Sequence, residues 1–322
     1  MSPPSPFRLD DADPLENPSG SGGGDPLPLR PDRPWYATGV LLDAEDFQAE
    51  QLYHRSRLAA GMLSLGGCGT LAGLKVVWQP SHPASGARPA REEEITVEPG
   101  LALDRRGRLI EVPRPACLRV GRWLAGLKEP LASSCIREHT QAGVSKRQIV
   151  ADVFLRFLPI PRGYTPAAAR GPFDASDAVQ PSRIRDSYKL ELVPRPGTMS
   201  PGDFLPLDPW AQVRTAATPE ARWQKLQELI LDGGVTHGVA SGAAAAGDSG
   251  GTTLQGGNAS EGGVSPEALF LARLWIPVVK TDAGSLTRPT GDDVTVRNDL
   301  RAFVLSISAL AAWAGMPAPS TP

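Results

Sequence analysis

The chain sets 33 Lys and Arg against 35 Asp and Glu over 322 residues, a formal net charge of −2. That balance excludes a general nucleic-acid binder, which needs a basic excess to release phosphate counterions. No run reaches the ~18 apolar residues of a bilayer span, residues 1–8 lack the apolar stretch of a secretory signal, and 34 Gly with 33 Pro point to a turn-rich molecule.

Residues 1–34 read as an extended Pro/Gly-rich arm with too few apolar side chains to repay its ordering entropy. A helix follows from Asp43 to about Leu65. Asp43 is its N-cap, Glu45 and Asp46 sit in the first turn, Leu42 and Phe47 have hydrophobic-staple spacing, and Gly66, Gly67 and Gly69 end it. Phe47, Leu58, Met62 and Leu65 share a helical face with Gln51 and His54. We expect this face to point at the core, its two polar members bonded to a strand or subunit lying across it.

The period then changes to two. Leu71–Trp78, Glu94–Glu98, Leu101–Leu103, Arg108–Val112 and Cys117–Val120 read as short strands bounded by Gly and Pro, with Asp104–Gly107 as a hairpin connection. Gln148–Leu158 is the longest strand candidate and Ser187–Val193 alternates cleanly. Residues 159–186 and 194–210 read as Pro-rich connections, and Thr218–Leu231 as a helix. Residues 239–263 read as a flexible low-complexity loop, Leu269–Val279 as a strand, and Asp293–Trp313 as a C-terminal helix.

The expected fold is therefore α+β, mainly β. A capped helix leads into short antiparallel strands in a β-sandwich-like arrangement, and a helix closes the chain. The expected divisions are the arm, a helix-plus-β anchoring region (35–125), a β region with one helix (126–238), the loop, and a strand with a C-terminal helix (264–322).

Chemistry-bearing motifs are weak. Gly247-Asp248-Ser249-Gly250-Gly251 matches the nucleophile segment of chymotrypsin-like proteases, yet it lies in a Gly/Ala/Ser tract with no strands to hold it rigid. Gly67-Cys68-Gly69-Thr70-Leu71-Ala72-Gly73 resembles a dinucleotide fingerprint, but it closes a helix and opens a strand, the reverse of what that loop requires. His54, His82, His139 and His237 are scattered, and Cys68, Cys117 and Cys135 form no CxxC, so no metal or disulfide framework is indicated. Glu92-Glu93-Glu94 and Arg105-Arg106 read as solvated strand-end and turn charges. No catalytic, cofactor or metal residue is assigned.

One block carries a wider pattern: Tyr36-x-x-Gly39-x-Leu41-Leu42, then Asp46-Phe47-x-x-Glu50-Gln51-x-Tyr53, then a helix and a Gly-rich corner ending Gly73-Leu74-x-Val76. It continues through Ile95–Asp104 and Gly107–Ile110, and Ser182–Leu192 fits the same pattern. The block resembles uncharacterised baseplate- and tail-associated structural proteins of phage-like contractile injection systems, and the anchoring regions of some phage tail-fibre proteins. The resemblance covers residues 35–120 well and 148–193 fairly. It implies a non-enzymatic subunit at a baseplate or a tail/fibre attachment, made in the cytoplasm and assembled into a particle. The implied partners are baseplate, tube or sheath proteins, with homo-oligomerisation open. In that reading Trp35–Tyr53 anchors the chain, and Trp35, Tyr36, Phe47, Gln51, Tyr53 and His54 are the candidate subunit contacts.

Two rivals remain open from the residues alone. A β-sandwich module for carbohydrate or cell-surface ligands would stack Tyr164 and Trp210 on sugar rings, and a hydrolase would bring distant carboxylates together. Two facing carboxylates in a deep cleft would mark the second.

Overall fold

Asp43 opens α1 (Ala44–Gly66) as a closed capping box. Its carboxylate accepts from the Glu45 and Asp46 amides at 2.8 and 3.2 Å, and the Asp46 carboxylate accepts from the Asp43 amide at 3.0 Å. Gly67, at φ 71°, ends the helix and donates its N–H to the Leu63 carbonyl at 2.8 Å. The computed structural model describes residues 32–85, 89–141, 144–166, 179–199, 210–231, 267–281 and 285–313. Most of the arm, the 239–263 loop, the Gly247–Gly251 motif and His237 lie outside the described residues.

The inward face of α1 corrects the expectation. Ser56, Ala59 and Leu63 are buried, whereas Phe47, Gln51, His54, Leu58 and Leu65 are exposed. Small side chains decide this. A Cβ on Gly107 would stand 2.1 Å from the Ala59 carbonyl oxygen, so the helix lies directly on the Gly107 turn. Bulky residues cannot occupy so close an approach, and they are left on the outer side.

The chain then alternates between two small antiparallel sheets. β1 (Gly69–Gly73), β4 (Gly100–Leu103) and β5 (Leu109–Val112) pair in that order. β2 (Val76–Gln79), β3 (Glu94–Val97) and β6 (Ala116–Arg119) form the other. The Asp104–Gly107 connection closes as the sequence predicts: Gly107 has φ 78°, and the Asp104 carboxylate accepts from the Arg106 and Arg108 amides at 2.8 Å each and from Arg108 Nε at 2.7 Å. At the β1–β4 corner Gly73 (φ 64°) opposes Gly100, and a Cβ there would meet the Pro99 oxygen at 2.1 Å. Gly73→Ala combines positive-φ strain with a backbone clash. Its expected destabilisation is at least ~2 kcal/mol, read as a lower denaturant midpoint at unchanged slope.

Two short helices follow, α2 (Val120–Gly126) and α3 (Leu131–Ser134), and then the large sheet. Its axis is β8 (Val144–Pro166). β10 (Leu269–Pro277) pairs along one side of it over residues 148–155. β7 (Ile136–Gln141) and β9 (Val179–Pro194) share β8 end to end, over residues 144–149 and 151–166. Residues 159–166 and 179–186, expected as connections, are thus strand. α4 (Ala211–Thr215) and α5 (Pro219–Leu231) contact each other, and α5 buries none of its residues, Trp223 included. β11 (Val279–Lys280) and β12 (Leu286–Thr287) form a separate hairpin.

The C-terminal part is a second correction. Residues 293–313 are β13 (Thr295–Arg297), which pairs with β10, an irregular segment, and only then α6 (Ile307–Trp313). The Asn298 side chain takes a backbone's place beside β2, with Oδ1 accepting from the Val76 amide and Nδ2 donating to the Val76 carbonyl, each at 2.9 Å. Arg301 donates to the Leu74 carbonyl at 2.7 Å, and Thr70 exchanges backbone bonds with Ala302 and Val304 at 2.9 Å. These long-range bonds outweigh the helical pattern of the segment.

The result is α+β with more strand than helix, several small antiparallel sheets, and helices towards both ends. One hydrophobic core joins the main sheets and α2: Val76, Ile95, Ile110, Leu124, Leu155, Leu192, Leu271 and Ile276 belong to a single buried cluster. Among the described residues no helix is long and apolar enough to cross a membrane.

Candidate functional site

Most charges that could do chemistry are held in structural pairs. Of the acidic triplet, Glu93 accepts from Trp78 Nε1 at 2.7 Å and from Arg288 Nε at 3.0 and 3.1 Å, Glu94 pairs with Arg91, and Glu92 lies 3.6 Å from Arg119 and Arg122. Only Glu92 is the solvated charge the sequence suggests; Glu94 is buried in β3. Burial pushes the Asp104 carboxyl up, although Arg108 and the turn amides oppose the shift. Burial also raises the Cys68 and Cys135 thiols, which makes both poorer nucleophiles at neutral pH. Among the described residues no three His, Cys, Asp or Glu side chains converge as a metal site. A surface hollow of about 290 Å³ is lined by His82, Pro89, Ala90 and Arg91, without a carboxylate. Of the candidate sugar platforms, Tyr164 is exposed near the end of β8 and Trp210 is half-buried at the start of α4.

The unexplained surface is apolar. Trp35 is 79% exposed, Leu41 94%, Phe47 50%, Leu58 68% and Leu65 91%. Phe47, Gln51, His54, Leu58 and Leu65 step along α1 at intervals of four, three, four and seven, so they line one side of it. The helix fastens to the body through Ser56, Ala59 and Leu63, all in its C-terminal half. Its N-terminal half carries the segment before it: the Tyr36 hydroxyl bonds the Glu50 carboxylate, which raises the phenol above its ordinary pKa. Tyr53 is half-buried, with the Arg33 and Arg57 guanidiniums 6.0 and 5.6 Å from its ring centre and His54 edge-on at 5.5 Å. His54 Nε2 lies 3.9 Å from Glu50.

The six sequence candidates therefore fall on one helix and the strap before it. Trp35, Tyr36, Phe47, Gln51 and His54 are exposed, while Tyr53 holds the strap. Sequence reasoning missed Leu58 and Leu65 as surface residues, because it placed them in the core. It also missed the C-terminal extension of the patch. A Cβ on Gly66 would touch Val304 at 3.0 Å, and from there Phe303, Leu305, Ile307 and Trp313 continue as exposed apolar residues. The apolar half of the predicted C-terminal helix was the available signal. No protein-family model matches the chain, and no curated protein is similar to it.

Proposed function

We propose that the chain is a non-enzymatic structural subunit of a contractile injection particle, docked at the baseplate or a tail/fibre attachment through Trp35–Leu65. The observation that carries this is the row of large apolar side chains left in solvent along the strap and the outer side of α1. Large apolar side chains gathered in solvent on one segment mark interaction sites. Aromatic anchors such as Trp35 and Tyr36 are the residue types that dominate interfaces. The sequence pattern quoted above adds the kind of assembly.

Affinity purification of the tagged chain under gentle conditions, followed by electron microscopy and mass spectrometry, tests the reading. The expected companions are sheath, tube or baseplate proteins, lost when Trp35 and Phe47 are both changed to Ser. A companionless monomer that binds a glycan panel, with binding abolished by Trp210→Ala, would replace this reading with the carbohydrate-binding one.

A further inference from the structure

The large sheet has an outgrowth that its core does not need. β10 accompanies β8 only as far as Leu155, so beyond that point, among the described residues, β8 and β9 pair only with each other, out to Pro166 and Val179. Phe157 and Pro159 still rest on the body, but Ile160, residues 162–166 and residues 182–186 are exposed. At ~3.3 Å per residue the free part of β8 projects roughly 20 Å.

Its register sets Ile160 opposite Arg185, Arg162 opposite Arg183, and Tyr164 opposite Pro181. Directly opposed residues share a face, so one face gathers three arginines beside Ile160 and Tyr164. None of the three has an ion-pair partner among the described residues, and like charges placed opposite each other destabilise an isolated ribbon. That penalty disappears once carboxylates lie across the face. Pro159 and Pro161 remove two backbone donors from the outer length of β8, which disfavours strand addition at its edge and leaves docking to the side chains.

The chain is slightly acidic overall, so its remainder carries the balancing negative charge. A matching surface lies at the start of α1, where Asp46, Phe47 and Glu50 share a side and Glu45 has no ion pair among the described residues. Exposed Leu41 and Leu42 adjoin it. We infer that the ribbon of residues 160–166 and 179–185 in one copy docks, through Arg162, Arg183 and Arg185, on the acidic, apolar start of α1 in a second copy. The contact is heterologous: each copy offers a ribbon and an α1 start, so copies link head to tail into a ring or a filament. The inference rests on the reading of the chain as an assembly subunit and adds a copy of itself as one partner.

Sedimentation velocity of the full chain, over a concentration series and at low and high salt, tests it. Wild type should self-associate and dissociate in high salt. Arg162→Glu/Arg183→Glu/Arg185→Glu should associate at least ~100-fold more weakly. Glu45→Arg/Gln48→Arg, which spares the Asp43–Asp46 capping box and the Tyr36–Glu50 bond, should do the same. Combining the two sets in one chain, or mixing the two variants, should restore association. Circular dichroism should stay at wild-type values throughout. A wild type that remains monomeric at every concentration overturns the inference, as does a ribbon variant that associates normally. Binding of a mixed-sequence oligonucleotide that is lost in the ribbon variant, by a chain that does not self-associate, would give the ribbon to nucleic acid instead. Particle proteins captured by a strictly monomeric chain would leave the structural reading standing and remove this one alone.

Discussion

Asp152→Ala is expected to lower the unfolding free energy by about 3–5 kcal/mol, the range for breaking a buried ion pair on one side. Asp152 has no exposed surface, and it sits in β8 between the core residues Ala151 and Val153. Its Oδ2 accepts from Arg195 Nη1 at 2.8 Å and from Arg273 Nη2 at 3.1 Å, and its Oδ1 from Arg273 Nε at 2.7 Å. Arg195 and Arg273 are themselves buried. The carboxylate therefore ties three pieces of chain together: β8, the facing β10 strand, and the segment leaving β9. Removing it takes a shared carboxylate from two buried cations, and that electrostatic loss outweighs the few lost van der Waals contacts. Replacing all three residues by apolar ones of similar volume should be far milder, because no charge is then left buried. Guanidinium unfolding reads both, as a shifted midpoint at constant slope. A single-variant effect below ~1 kcal/mol would show that Asp152 is better hydrated than its burial implies.

The same triad shows where sequence reasoning stops. Asp152 interrupts an apolar run, and its partners lie 43 and 121 residues away, so nothing local pairs them. Local devices were legible: the Asp43 cap, the Gly67 stop and the Asp104–Gly107 turn each need only neighbours within a few residues. The ribbon was not. Four prolines (Pro159, Pro161, Pro166 and Pro181) read as a break, yet a ribbon with a free edge tolerates a missing donor that a central strand would not. β7 has the sequence Ile-Arg-Glu-His-Thr-Gln, with no apolar alternation to announce it, and it is held by its register against β8. For the candidate site, the helix and its residues were found, but periodicity could not say which of two stripes on α1 faces the body. That choice falls to close backbone approach at Ala59 and Gly107, a tertiary fact.

Leu58→Lys/Leu65→Lys should therefore leave the fold intact and, on the proposed function, abolish docking to partner subunits. Both side chains already stand in solvent, at 68% and 91% exposure, and substitutions at such positions stay within about ±0.5 kcal/mol of wild-type stability. If a neighbour covers them, each Leu buries enough area to contribute about 1.5–3 kcal/mol to docking. Lysine forfeits that and brings a charge into the contact. The pair should then weaken binding by well over ~100-fold, enough to empty the site at cellular concentrations. Ala59→Leu supplies the opposite case. Its position is buried against the Gly107 turn, so added methyl groups should lower stability by about 1–3 kcal/mol through overpacking. Thermal unfolding and co-purification, measured on both variants, separate the two stripes of one helix. A stable Leu58→Lys/Leu65→Lys chain that still co-purifies with the wild-type companions would mean the outer stripe covers nothing. A destabilised one would mean that some part of this chain already covers it.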